Sequence, residues 1–374
     1  MEGYDAKTER HEARKSCRSW PGLVFLAPIA AFLLSGGAGS ARAVTNPGCP
    51  SLVATNVTLT MDITCTDSSW ITIVADNITV DLSGHIVTCS GTGYQGSCQT
   101  DFSSVGINTN GHKNIRIINS NEEEHGVIKG FYEGVLVNGG SNVKIKGITV
   151  TGPHKLAVAN DRNAFGIYVS GVQCGTSVDE TDDNNLFVKI SNNTVSNQLI
   201  GIFLFGSSCV KLQDNTVFNN NSDINDGIGI ALAFGSSHNK LVDNKVFGNG
   251  ENLTFFDGGI VVNGTGSDHN LIATNEVSDN NGDGIQLSDG ATANLVVDNE
   301  MLFNGDPVSG TTFFDAAART SSTPGSSGGI NNTWTDNECL TATSPEPGPG
   351  TCNEDKDTIK HLQQETSIMP FPKP

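Results

Sequence analysis

The stretch NLIATNEVSDNNGDGIQL, Asn270–Leu287, decides how the chain is read. An asparagine opens an alternating apolar run, a second follows with valine two places on, and a Gly-Ile strand closes the phrase. The phrase recurs as VKISNNTV ending at Val195, VKLQDNTV at Val217, NKLVDNKV at Val246, NLVVDNEM at Met301 and NTWTDNEC at Cys339. Its key asparagines are Asn193, Asn215, Asn244, Asn275, Asn299 and Asn337, spaced by 22, 29, 31, 24 and 38 residues. A shortest interval near 22 with variable excess is the mark of a coil that accepts insertions.

Each repeat also carries a Gly-apolar strand: GIYV at Gly166, GIFL at Gly201, GIAL at Gly229, GIVV at Gly259 and GIQL at Gly284. Period-two alternation places Ile202 and Leu204, or Ile285 and Leu287, on one face with a single residue between them on the other. Short strands of this kind cannot bury a face alone and become stable when rungs stack at roughly 4.8 Å. The asparagine column is read as structural. At a tight turn Asn tolerates left-handed backbone angles, and its amide can bond to the equivalent residue of the next rung. Less regular rungs precede these in NITVDLSGHIVTCSGTG (Asn77–Gly93), NIRIINSNEEEHGVIKGFYEGVLVNGG (Asn114–Gly140) and NVKIKGITVTG (Asn142–Gly152). On these repeats the sequence resembles the right-handed parallel β-helix superfamily, the pectin-lyase-like proteins, over roughly residues 50–340. The resemblance implies an all-β solenoid. It does not fix an activity, because that scaffold carries lyases, hydrolases, epimerases, tailspikes and copper-associated maturation proteins.

Residues 1–43 read as a secretory signal: a charged leader, the apolar run LVFLAPIAAFLL (Leu23–Leu34) and small residues ending in Ala41-Arg42-Ala43. The run falls short of the roughly 20 residues a membrane-spanning helix needs, so no stable membrane anchor is expected. The expected location is secreted or periplasmic. The β-helix then occupies 44–340, and the acidic Pro/Gly-rich segment 341–374 reads as a cap or tail. Without the leader, 15 basic side chains face 36 acidic ones, a net charge of −21. Such a chain repels nucleic acid. Oligomeric state is not legible.

Eight cysteines remain, and an even number in an exported chain points to disulfides. Nearest-neighbour pairing is expected: Cys49 with Cys65, Cys89 with Cys98, Cys174 with Cys209, and Cys339 with Cys352.

Chemistry is sought in what the rungs do not share. The excess residues fall between the asparagine region and the next Gly-Ile strand, so they are expected along one edge, walling a groove. The middle residues of the strands, Leu136, Tyr168, Phe203, Ala231, Val261 and Gln286, would be exposed in it. Tyr168, Phe203 and Gln286, with Phe256 and Phe314 from the segments LTFFD and TTFFD, are candidate glycan contacts, aromatic faces being suited to sugar rings. Asp226, Asp257 and Asp283 stand at strand entries, and stacked carboxylates there call for a cation such as Ca²⁺. The segment TGPHKLAVANDRNAFGIY (Thr151–Tyr168) gathers His154, Lys155, Arg162 and Tyr168 in a cation-poor chain. β-Elimination of a uronate needs a cation to neutralise the carboxylate, a base at C5 and an acid at the leaving oxygen. Arg162, then Lys155 or His154, then Tyr168 supply those roles. The best reading is a Ca²⁺-assisted polysaccharide lyase acting on a uronate-containing glycan. The Asp-Pro-His-Asp/Glu signature of alginate epimerases is missing, GPHK keeping only Pro-His, and of the polygalacturonase elements only Asp182-Asp183 appears. The alternatives are a non-catalytic carbohydrate-binding or surface-interaction protein, and a copper-associated maturation factor, to which the shared register of Cys209, His238 and His269 would be relevant.

Overall fold

The chain divides into two compact units, residues 1–40 and 41–374. The computed structural model describes residues 44–91, 97–98, 104–152, 164–174, 187–221, 227–250, 258–305, 314–319, 329 and 331–341, all in the second unit. Among these residues every strand pairing is parallel, and the strands form three sheets of eleven, ten and ten. A rung visits each sheet once. Ile200–Phe205 lies in the Gly-Ile sheet, Val210–Gln213 in the second and Thr216–Phe218 in the third, before the chain returns to the Gly-Ile sheet at Ile228–Ala233. Ile202, Leu204, Leu212 and Val217 point inward from one rung and are fully buried, joining a single apolar core that runs the length of the stack. Backbone groups within each sheet bond to the rungs on either side, which is why strands of three to six residues persist.

The predicted asparagine column exists. Asn193 Nδ2 donates to Asn215 Oδ1 at 3.0 Å, and Asn215, Asn244, Asn275 and Asn299 each donate onward at 2.9 Å, ending on Asn337. Two further columns stand at the other corners, Asn220–Asn249–Asn280–Asn304 and Asn239–Asn270–Asn294–Asn332. Each corner of the coil thus has its own amide file. The left-handed residue is not the ladder asparagine, as expected from sequence, but the one before it: Asn192, Asp214, Asp243, Thr274, Asp298 and Asp336 have φ between 52° and 57°. The corner residue turns the chain, and the asparagine after it is free to use its amide along the stack.

The glycine of each Gly-Ile pair is dictated by space. A Cβ on Gly201 would sit 2.5 Å from Val217 Cγ1 and 2.7 Å from the Gly229 carbonyl oxygen, and Gly229 and Gly259 meet the same pair of obstacles in their own rungs. The neighbouring backbone cannot retreat without breaking the sheet.

Disulfides join Cys49 to Cys65, Cys89 to Cys98 and Cys174 to Cys209. Cys339 is also disulfide-bonded, while its expected partner Cys352 lies outside the described residues. Such cross-links belong to an oxidising, extracytoplasmic compartment. Among the described residues no helix is long and apolar enough to cross a membrane. The insertions do not all enter at one edge. Residues 153–163, 222–226, 251–257 and 306–313 join a third-sheet strand to a Gly-Ile strand, as expected, but 175–186 and 320–328 leave the Gly-Ile sheet for the second. Extra chain therefore enters on both flanks of the Gly-Ile sheet.

Candidate functional site

The outward residues of the Gly-Ile sheet stand in register: Leu136 beside Tyr168, Tyr168 beside Phe203, Phe203 beside Ala231, then Val261 and Gln286. They do not form one open groove. Leu136, Tyr168 and Phe203 are half-buried, whereas Ala231, Val261 and Gln286 are buried. The sequence expectation of exposure fails for these last three; Ala231 and Val261 pack with Ile228, Ile200 and Phe203 into a small apolar cluster outside the coil. Gln286 is 1% exposed, which removes it as a direct glycan contact on this surface.

An aromatic shelf occupies the open half. Tyr168 and Phe203 stack with centroids 5.5 Å apart at 15°, and Phe165 leans against both at 4.9 and 5.3 Å. Phe205 meets Phe203 edge-on at 5.9 Å and Phe234 at 4.6 Å. Phe234 is 69% exposed and holds a φ of 57°, an unusual conformation for a bulky residue. Strand alternation explains the shelf: Ile167 and Val169 go inward, so the residues between and after them go out.

A carboxyl also belongs to this face. Glu133 pairs in register with Phe165, the ring that covers the near end of the shelf. Burial pushes its carboxyl up to about 7. Tyr168 is raised as well, chiefly by burial and further by the charge of Glu133, while a hydrogen bond with Ser170 opposes the shift. Burial thus favours the protonated form of both groups on this face. Sequence reasoning missed Glu133. The residue just before each strand glycine reads Glu133, Phe165, Ile200, Ile228, Gly258 and Asp283, and aligning that column would have exposed its two acids.

The acidic column is not a column. Relative to the equivalent glycines Gly229, Gly259 and Gly284, the three aspartates sit three, two and one residues earlier. Asp226 and Asp257 lie outside the described residues. Asp283 is fully buried, and its Oδ1 accepts the Phe314 backbone N–H at 2.9 Å, tethering the chain that enters the last Gly-Ile strand. Its carboxylate therefore has a structural role. Phe314 is half-buried at that tether, and Phe256 is outside the described residues.

The family model for the right handed beta helix region matches residues 133–341, more than half of the chain. The chain belongs to the right-handed β-helix family. No curated protein matches it. Among solved structures, a double mutant of the periplasmic alginate epimerase AlgG is similar at 14% identity and a TM-score of 0.49, over 79% of this chain and 74% of that one. The Dettilon tailspike protein gp208 is similar at 14% identity and a TM-score of 0.37, over 75% of this chain, which spans 44% of the tailspike.

Within this β-helix, His154, Lys155 and Arg162 lie outside the described residues; the segment that holds them runs from Thr151 at the end of a third-sheet strand to the strand bearing Tyr168. The shared register of Cys209, His238 and His269 has a backbone cause. All three are the left-handed corner residues, with φ of 60°, 56° and 54°. The two imidazoles stack at 5.0 Å and 10°, and Cys209 is oxidised with Cys174. Among the described residues no three His, Cys, Asp or Glu side chains converge as a metal site.

Proposed function

We propose that the protein cleaves a carboxylated polysaccharide by β-elimination on the open half of the Gly-Ile sheet. The observation that supports this is the placing of Glu133 and Tyr168 at one end of an aromatic shelf. Sugar rings lie on Tyr168, Phe203 and Phe205. Protonated Glu133 donates a hydrogen bond to the uronate carboxylate and, with Arg162, offsets its charge, acidifying the proton at C5. Lys155 or His154 takes that proton. The C4–O bond breaks as the C4–C5 double bond forms, and the departing oxygen takes the phenolic proton of Tyr168, which burial keeps in place.

The test is to incubate the mature chain with polygalacturonate, alginate and other uronate polymers and follow the absorbance of the unsaturated product. Product formation that falls at least a hundredfold in Tyr168→Phe supports the reading. No product on any polymer overturns it in favour of a glycan-binding β-helix, the reading that the exposed Phe234 ring at the far end of the shelf favours.

A further inference from the structure

At the corner between the second and third sheets, residues 119–125 wall a cleft that the proposed chemistry does not use. Its volume is about 390 Å³, inside the range of roughly 300–1,000 Å³ typical of small-molecule sites, and its whole lining lies among the described residues. Two strands supply its cations. Ile117 and Ile145 are fully buried, so alternation turns Arg116 and Lys146 outward, and Lys146 stands opposite Ile118 one rung along the stack. Strand spacing and rise put the two backbone positions about 8 Å apart, a gap that two long side chains can close on one ligand. His125 and Glu122 stand on the wall, while Thr149 and Thr194 pair in register on the third-sheet side.

Hydrogen bonds hold the wall in shape. Asn119 Oδ1 accepts the Gly84 N–H at 2.7 Å, and its Nδ2 donates to the Asn121 and Glu124 carbonyls at 2.6 and 2.7 Å. Asn121 Oδ1 accepts the Glu123 N–H at 3.1 Å, and Asp81 Oδ1 accepts the Ser120 N–H at 3.0 Å. The segment is thereby tied both to itself and to the preceding rung. The charge pattern of the corner then singles out the cleft. In later rungs its left-handed residues include Asp214, Asp243, Asp298 and Asp336, whereas at the cleft the corner reads Asn119, Gly147 and Asn192. A Cβ on Gly147 would meet only the Asn119 carbonyl oxygen, at 3.7 Å, so the space between the flanking corners is open. Among the described residues Arg116, Lys146 and His125 make no ion pair, with Glu122 or with any other acid. Glu123 and Glu124 are not part of the lining, so two permanent cations face one carboxylate and leave the cleft a single net positive charge.

We propose that this cleft binds a small sugar acid, a single carboxylated ring. Arg116 offers its planar fork to the carboxylate, and Lys146 adds a point charge beside it. The hydroxyls of Thr149 and Thr194 and the carboxylate of Glu122 meet the ring hydroxyls. Glu122 also discriminates, because it repels a second negative charge and so disfavours a doubly charged inorganic anion. The site lies at a different corner of the coil from the aromatic shelf and needs no reaction on the Gly-Ile sheet. It therefore goes beyond the lyase reading and stands whether or not that reading does.

Calorimetric titration of the full chain with D-galacturonate, D-glucuronate, D-galactose and sulfate tests this. At least one of the two uronates is expected to saturate a single site per chain, with galactose and sulfate bound at least tenfold more weakly. R116Q/K146Q is expected to weaken uronate binding at least tenfold and to leave the thermal unfolding curve unchanged, both side chains being exposed. T149V/T194V keeps strand-forming residues of nearly the same shape, and should weaken the uronate several-fold while leaving sulfate as it was. Undiminished uronate binding in either variant overturns the proposal. So does a failure of both uronates to saturate, or sulfate bound as tightly as the sugar acid, which would mark a site for a bare anion. The two sites separate cleanly: Tyr168→Phe is expected to leave uronate binding in the cleft unchanged, and turnover of polyuronates is expected to survive R116Q/K146Q.

Discussion

Asp315 Oδ1 accepts both the backbone N–H and the side-chain amide of Asn304, each at 2.9 Å. It stands where the corner file Asn220–Asn249–Asn280–Asn304 needs its next member, and it is an acid. Its other oxygen, Oδ2, accepts the Leu340 and Thr341 N–H groups and the Thr341 hydroxyl, each at 3.1 Å. Five donors converge on a group that need give nothing back, so a carboxylate fits where an amide would not. Burial pushes this carboxyl up, and the bonds from Asn304, Thr341 and Leu340 oppose that shift.

Swapping the two chemistries should therefore hurt at both places. Asp315→Asn sets an NH₂ against three donors. Asn244→Asp removes the amide that Leu212 O, Val242 O and Asn275 Oδ1 all accept from. Each change is expected to cost about 2–4 kcal/mol of unfolding free energy. Denaturant titration would read it, and a cost below about 0.5 kcal/mol at either position would show that the files do not stabilise the coil.

Gly229→Ala is expected to destabilise by about 1–3 kcal/mol, because its Cβ would meet Val246 Cγ1 at 2.5 Å and the Gly259 carbonyl at 2.7 Å. Gly48→Ala, with nothing within 4 Å of the new carbon, should change stability by less than about 0.5 kcal/mol. A pair of thermal melts distinguishes crowding from a general loss of glycine.

Glu133 makes stability fall with rising pH. Its carboxyl is raised in the fold from 4.5 to about 7, so the folded state holds the proton more tightly than the unfolded chain. The stability this gives is complete below pH about 4.5 and is lost as pH rises through 7. Glu133→Gln should accordingly gain on the wild type across that window, by on the order of 1–3 kcal/mol above pH about 7, with no gain near pH ~4. Melting temperatures of both proteins on either side of that window test the sign. A variant that is equally affected at every pH would assign Glu133 a packing role only.

Phe234 sits at a φ of 57° with 69% of its surface exposed. Phe234→Asn should leave stability unchanged or raise it by up to about 1 kcal/mol, since Asn accepts that backbone more readily. Glycan affinity should drop several-fold with the loss of a stacking ring, about 1 kcal/mol. Calorimetry on both properties would detect the opposed signs.

The coil was legible because a solenoid writes its geometry into the sequence at every turn. Asn193 to Asn337 and the Gly-Ile pairs fall at equivalent places in successive rungs, and their recurrence is the fold. The file Asn220–Asn249–Asn280–Asn304 was harder to see, since Asn220 and Asn249 sit next to insertions of differing length that disturb the count. The site was less readable still. Whether Ala231 or Tyr168 is exposed depends on what packs against the outer face, and no periodicity along the chain carries that. Glu133 was overlooked because its rung, NIRIINSNEEEHGVIKGFYEGVLVNGG, is rich in acids and only the strand register singles one out.

The three amide files all run the same way, each side-chain amide donating to the asparagine oxygen of the following rung and accepting from the asparagine of the one before. Such a chain has a grammar for its own growth and loss. Excising residues 229–258 would splice Gly259 into the place of Gly229 and bring Asn270, Asn275 and Asn280 up to the preceding turn. There they would stand opposite the Val210 N–H, Asn215 and Asn220, which now bond to Asn239, Asn244 and Asn249. Whole rungs are thus the natural unit of duplication and deletion in this protein, and a cut that removes part of a strand or corner would leave the seams of the coil mismatched.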